Sequence, residues 1–174
     1  LHNNSSIIRV AEAGDIPSIR NLALEIWPLV YKEIISEEQI GYMLNLMYSA
    51  SSLSGQMISN KHQFLILEIE GRPSGFAAYS KKSDREPTVF RLHKLYLLPT
   101  LHGKGFGKKL LTEVEQGARK EGAMKLELNV NRKNPAFYFY TKNGFNILRE
   151  EDIDIGEGFF MTDYVMIKDL YQTS

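Results

Sequence analysis

The chain has 174 residues, 43% of them hydrophobic, which suits one domain spanning 1–174 and rules out a disordered chain. Lys plus Arg and Asp plus Glu both number 21, so net charge is zero and nothing points to nucleic acid, although the stretch 104–109 is locally basic. Cysteine is absent, which excludes disulfides, thiolate ligands and cysteine nucleophiles; with no apolar run of about 18 residues and no signal-like segment in Leu1–Ser6, the expectation is a soluble, cytoplasmic protein with no membrane contact.

Ile7–Val10 predicts a short first strand. Asp15 is the predicted N-cap of a helix with Pro17 in its first turn and Ile16, Ile19, Leu22, Ala23, Ile26 and Val30 at helical spacing. Ser36-Glu37-Glu38-Gln39 has the form of a capping box and opens a helix with Ile40, Met43, Leu44 and Met47 on one stripe. A short helix over Ser51–Ser59 follows. The period then changes to strands at Gln63–Ile69 and Ser74–Lys81, joined by turn residues Glu70–Pro73. Ser83–Pro87 reads as a polar loop, and Thr88–Leu98 as the longest strand, stopped by Pro99.

A helix over 107–121 carries Leu110, Leu111, Val114 and Ala118 inward, with Gly122 just past its end. In Met124–Val130, Met124, Leu126, Leu128 and Val130 alternate with Lys125, Glu127 and Asn129, a half-buried strand. Asn134-Pro135 starts a helix that ends at Asn143-Gly144. Phe145–Ile155 and Phe159–Leu170 make a last pair of strands. This order predicts an α/β (mixed α+β) fold: a central, mostly antiparallel twisted sheet of six to seven strands with helices on both faces.

The most informative stretch is His102-Gly103-Lys104-Gly105-Phe106-Gly107-Lys108, between a strand and a helix. Glycine lets the backbone approach a ligand, and the free N–H groups of a helix start bind anions, most often phosphate. Lys104, Lys108 and Lys109 add positive charge there. Two nucleotide fingerprints fail on spacing. A P-loop needs four residues between its glycines and Ser or Thr after its Lys, whereas three residues separate Gly103 from Gly107 and Lys109 follows Lys108. A dinucleotide fold needs Gly-x-Gly-x-x-Gly, which from Gly105 ends on the bulky Leu110; Glu127, about 20 residues on, lies inside a strand.

The same stretch resembles the Gcn5-related N-acetyltransferases, whose signature is Gln or Arg, two residues, Gly, one residue, then Gly or Ala. His102 stands where the family has Gln or Arg, a departure that matters little if the position works through its backbone amide. Asn134-Pro135-Ala136-Phe137-Tyr138-Phe139-Tyr140, running on to Gly144-Phe145, resembles a second family segment, and the likeness covers roughly residues 64–168.

The resemblance implies transfer of an acetyl group from acetyl-coenzyme A to an amine. It implies two parallel strands splayed at the cofactor site, with the pyrophosphate over His102, Gly103, Lys104, Gly105, Phe106, Gly107 and Lys108. The pantetheine arm would run along the open edge Tyr96, Leu97 and Leu98, with Asn129 and Asn134 opposite. A backbone N–H near Leu97 or Leu98 would stabilise the oxyanion, and Tyr140, also beside the cofactor, would protonate the departing thiolate. His93, with an ordinary pKa of about 6.5 and placed by alternation on one face with Arg91, Leu95 and Leu97, is the candidate base; Glu68 and Glu127 are the fallback carboxylates. No residue spacing suggests a metal site. Trp27, Tyr31, Tyr42 and Tyr48, or a core role for each, are set beside the acceptor, with Glu33, Glu37 and Glu38 as a possible attraction for a cationic amine. The favoured acceptor is a small-molecule amine; a peptide or protein amine, a silent coenzyme A sensor and a homodimer stay open.

Overall fold

The computed structural model describes residues 5–171, so the reading of Leu1–Asn4 lies outside the described residues. Seven strands, β1 (Ser6–Val10), β2 (Gln63–Ile69), β3 (Arg72–Ser83), β4 (Glu86–Leu97), β5 (Lys125–Asn131), β6 (Asn146–Gly156) and β7 (Phe159–Asp169), form one sheet ordered β1-β2-β3-β4-β5-β7-β6. Every neighbouring pair is antiparallel except β4 with β5.

Helices α1 (Ile16–Tyr31), α2 (Glu37–Tyr48) and α3 (Ala50–Ile58) cover one face, burying Ile19, Ile26, Trp27 and Leu53 against Phe64, Ile66 and Phe76. Helix α4 (Phe106–Lys120) and α5 (Ala136–Lys142) cover the other. There Leu110, Leu111, Val114 and Ala118, each at most 2% exposed, pack on Phe90, Leu92, Leu126 and Leu128. The 3.6-residue and two-residue periods of the sequence thus meet across two cores. Among the described residues no helix is long and apolar enough to cross a membrane.

Local chemistry departs from expectation at several places. Asp15 does not cap α1: its backbone is helical, and its carboxylate accepts from Glu12 N at 2.8 Å and from the Arg9 guanidinium at 2.8 and 2.9 Å. Arg9, held also by Glu68, pulls Asp15 into a preceding 3₁₀ turn at Ala13–Asp15. Ser36 caps α2 as expected, accepting from Gln39 N at 3.1 Å, but the Gln39 side chain leaves the box and donates to Phe160 O at 2.8 Å. Ser83–Pro87 is a tight turn, not a loop, because Ser83 pairs with Glu86 and Pro87 already lies in β4. Met124 precedes β5 and is 46% exposed.

The consequential departure is a bulge in β4. Ala78 faces Lys94 and Tyr79 faces Leu92, so His93 is the extra residue. A bulge resets side-chain parity. Before it, Phe90 and Leu92 point into the α4 core; after it, Leu97 and Leu95 do, while Tyr96 and Leu98 pack toward α1–α3. His93 therefore does not share a continuous face with Arg91, Leu95 and Leu97.

Candidate active site

The bulge also marks where the sheet opens. Strands β4 and β5 pair only from Val89 to Leu92 and from Lys125 to Leu128. Beyond, β4 continues for five residues and β5 for three without pairing to each other. A bulge bends its strand and increases local twist, and His93 is the first residue past the last paired position. The gap is a cavity of about 910 Å³.

Inside the gap the backbone is pre-set. Leu98 N donates to Ser74 O at 3.0 Å, and Leu97 stands opposite Gly75. In an antiparallel ladder this makes Leu97 and Gly75 a non-hydrogen-bonded pair, so the Leu97 N–H and C=O turn away from β3, into the gap. The Leu98 amide is consumed by β3, which removes it as an oxyanion donor.

At the cavity mouth a 3₁₀ turn, Pro99–Leu101, leads to Gly103 at φ +73° and Gly105 at φ +84°, the latter capping α4. Among the described residues, the first amide of this stretch to find a backbone acceptor is Lys109 N, on Gly105 O at 3.1 Å; those of 103–108 find none. A Cβ on Gly103 or Gly105 would stand in open space. Gly107 differs: its Cβ would meet the Phe139 ring at 3.3 Å and Leu97 at 3.5 Å, so it is a close-packing glycine. The mouth is thus a nest of free N–H groups at a helix start, suited to an anion.

The cavity wall gathers most of the residues singled out in the sequence: His93, Tyr96, Leu97, His102, Gly103, Gly105, Gly107, Lys108, Asn129, Asn134 and Tyr140. Leu98, Lys104 and Phe106 are not on it. Leu98 packs toward α1, Lys104 is exposed, and Phe106 packs against the α4 core under Lys109.

Tyr140 is 7% exposed, edge-on to Phe139 and Phe145. Burial, then the nearby Tyr31, push its phenol pKa above the ordinary value, so it holds its proton at neutral pH. The Tyr31 and Tyr96 hydroxyls meet at 2.9 Å in the same cavity. Asn134 Oδ1 accepts from Ala136 N at 2.9 Å, starting α5. The Asn129 carboxamide is engaged at both ends, its oxygen by Arg91 and its nitrogen by Asp163 Oδ2 at 3.2 Å.

His93 is a weaker base than the sequence suggested. Its ring stacks on His62 with centroids 3.9 Å apart, and its Nε2 shares a hydrogen bond of 2.8 Å with Ser80 Oγ. Burial, then His62, Lys94 and Arg91, lower its pKa to about 3. Of the fallback carboxylates, Glu68 is bound by Arg9 and Glu127 by Lys82, and neither is on the wall. Of the four aromatics set beside the acceptor, Tyr31 lines the cavity. Trp27 and Tyr48 are core and bond each other at 3.2 Å, and the Tyr42 hydroxyl donates to Ile155 O at 2.6 Å, tying α2 to β6. Glu33, Glu37 and Glu38 are exposed.

The sequence reading missed Ile26, Leu29 and Val30 of α1, and Phe139, Lys142 and Asn143 beyond β5. Leu29 at 53% exposure carried a signal, an apolar residue outside the buried stripe. Lys142 and Asn143 had none, since they read as an ordinary helix end.

A mixed sheet whose parallel pair splays behind a glycine-rich helix start defines the N-acetyltransferase class to which the sequence motifs pointed. A family model described as an acetyltransferase (GNAT) domain matches residues 32–168, and the chain belongs to that family. It is 31% identical over 159 residues to a spermidine N(1)-acetyltransferase of Thermoplasma acidophilum, covering 88% of this chain and 94% of that one. An uncharacterized N-acetyltransferase of Mycobacterium tuberculosis is 30% identical over 157 residues, covering 90% and 98%. Among solved structures, the PaiA N-acetyltransferase of Thermoplasma acidophilum in complex with coenzyme A superposes with a TM-score of 0.80 at 30% identity, covering 95% of this chain and 99% of that one.

Proposed function

We propose that the protein transfers the acetyl group of acetyl-coenzyme A to the primary amine of a small-molecule acceptor, by direct attack while both are bound. The observation that carries this reading is the continuity of one cavity, from the free amides at 103–108, along the open edge of β4, to Tyr31 at the end of α1. The similar spermidine N(1)-acetyltransferase supports a small amine as acceptor.

In this reading the amides of 103–108 hold the pyrophosphate, with the Lys108 side chain beside them. The pantetheine arm adds to the open edge of β4 at Leu97, since the Tyr96 backbone groups are turned to β3, and its thioester oxygen meets the Leu97 N–H. As the amine nitrogen attacks, that carbonyl becomes an oxyanion, which the Leu97 amide stabilises. When the C–S bond breaks, Tyr140 gives its proton to the departing sulfur. Asn134 fixes the start of α5 and so the position of Tyr140. His93 keeps a structural role on Ser80 and His62, and the ammonium proton leaves through water in the open cavity.

The test is acetyl transfer to matched concentrations of polyamines, aminoglycosides, amino acids and short peptides. A small amine is expected to give the highest kcat/KM. A peptide N-terminus ahead of every small amine by about tenfold (about 1.4 kcal/mol) reverses the acceptor assignment, and binding of coenzyme A with no transfer to any amine supports a silent member.

A further inference from the structure

The acceptor end of the cavity is built by the last two turns of α1. Ile26, Leu29 and Val30 are spaced i, i+3 and i+4, so they present one apolar face to the gap. That face runs from fully buried Ile26 to Leu29, which is 53% exposed. Tyr31 follows at the helix end. Its ring rests on Trp27 with centroids 4.4 Å apart, and its hydroxyl meets that of Tyr96 at 2.9 Å. The Asn134 side chain is its other polar neighbour. Tyr96 belongs to β4 and Asn134 follows β5, so the Tyr31 hydroxyl sits between the two sides of the splay.

The charges on the wall are of one kind. Among the described residues its ionisable side chains are lysines, histidines and tyrosines, with no Asp or Glu. Asp163, whose charge reaches Tyr31, is 5% exposed and off the wall. Burial raises the pKa of both the Tyr31 and Tyr96 phenols, so the pair stays neutral at ordinary pH. Of its two O–H groups one is spent between the oxygens, which leaves one donor and the spare lone pairs. Neutral dipoles of this kind take the N–H groups of an uncharged amine and leave its lone pair for the thioester carbon. They do not compensate an ammonium group taken out of water.

We propose that the acceptor is an aliphatic monoamine, its nitrogen held at the Tyr31–Tyr96 hydroxyl pair and its hydrocarbon chain on Ile26, Leu29 and Val30. This rests on the amine-acceptor reading above. The apolar face favours a longer chain, because each methylene laid on it leaves water. A second ammonium on that face would lose its hydration with no carboxylate of the described wall to pair with. The Tyr31 oxygen accepts an N–H while the attacking nitrogen gains positive charge, so that hydrogen bond strengthens in the transition state.

The experiment measures acetyl transfer to ethylamine, hexylamine and hexamethylenediamine, with calorimetric titration of each into the coenzyme A-loaded protein, for the wild type, Leu29→Glu and Tyr31→Phe. Hexylamine is expected to lead the other two in kcat/KM by about tenfold or more. Leu29→Glu puts a carboxylate at the exposed end of the apolar face, and it should move the ratio of diamine to hexylamine about tenfold toward the diamine, through KM. Tyr31→Phe should lower kcat for hexylamine about tenfold, with coenzyme A affinity within about twofold; a merely structural Tyr31 would lower the melting temperature and leave kcat at saturating amine unmoved. The diamine equal to or ahead of hexylamine in the wild type, or a ratio in Leu29→Glu equal to that of the wild type, overturns the proposal. A wild-type kcat in folded Tyr31→Phe overturns it as well; if that variant does not fold, the Leu29→Glu ratio decides. Hexylamine bound ahead of the diamine without acetyl transfer to any amine leaves the pocket standing and removes the acetyltransfer reading; transfer that favours the diamine does the reverse.

Discussion

Gly75 and Leu97 face each other across β3 and β4 as a non-hydrogen-bonded pair, and that pairing turns the Leu97 amide toward the open gap. A Cβ on Gly75 would meet Leu97 Cδ2 at 2.5 Å and Tyr96 O at 2.9 Å. Gly75→Ala must therefore displace the backbone of β4 where it lines the cavity. Overpacking of this kind costs about 1–3 kcal/mol, read by chemical denaturation. Coenzyme A affinity should fall with it, since the displaced strand is the edge on which the arm lies. A variant as stable as the wild type, with equal affinity, contradicts the close approach.

Gly105 sits at φ +84° with open space where a side chain would be. Gly105→Val strains the backbone and fills the nest where phosphate is proposed to sit. The expected result by calorimetry is a sharp loss of coenzyme A affinity in a protein that still folds. Unchanged affinity in the folded variant removes the loop from the cofactor site.

Tyr140→Phe keeps the ring and its packing on Phe139 and Phe145 while removing the hydroxyl. Turnover should drop about 10²-fold or more, the lower range for general acid catalysis, with coenzyme A affinity little changed. A wild-type rate, with chemistry shown to be rate-limiting, means that the thiolate takes its proton elsewhere.

The stacked His62 and His93 make stability pH-dependent on the acid side. Burial lowers their pKa values to about 4 and about 3, against about 6.5 in the unfolded chain. Between these limits the unfolded state binds more protons than the folded one, so stability falls as pH drops from about 6.5 toward 4. Each histidine contributes a slope of up to about 1.4 kcal/mol per pH unit in that window. His62→Gln should flatten the stability profile there, measured as denaturation midpoints from pH 7 to pH 4. An equally steep profile in the variant assigns the acid sensitivity to other groups.

Lys94 acts on the alkaline side. It is buried beneath Tyr48 and Phe64, with its ammonium 2.6 Å from Gln56 Oε1, and burial lowers its pKa to about 8. A depressed lysine penalises the fold fully below about pH 8, and the penalty fades as pH rises toward the ordinary value near 10.4. Lys94→Met should therefore be more stable at pH 7, by about 1–2 kcal/mol after the loss of the Gln56 bond. The rise in stability above pH 8 should be absent. A less stable Met variant shows that the Gln56 and aromatic contacts outweigh the burial of charge.

Much of this protein was legible because local chemistry carried it. The 3.6-residue stripe of α4 and the alternation of β5 set their buried faces, the glycines at 103 and 105 announced positive φ, and Asn134-Pro135 announced a helix start. Each signal spans a few residues and acts through backbone sterics or a nearby side chain, so the chain states it directly. The placement of His93, Asn129 and Asp163 has no such local source. One extra residue in β4 reverses side-chain parity from His93 onward, and whether a strand bulges depends on its partner's register, here Ala78 against Lys94 and Tyr79 against Leu92. Arg91, Asn129 and Asp163 come from three strands, the last two separated by 34 positions in the chain, and Tyr31 meets Tyr96 across 65. Such contacts exist only once the sheet has assembled, because hydrogen bonding and burial depend on distance in space, to which separation along the chain is no guide.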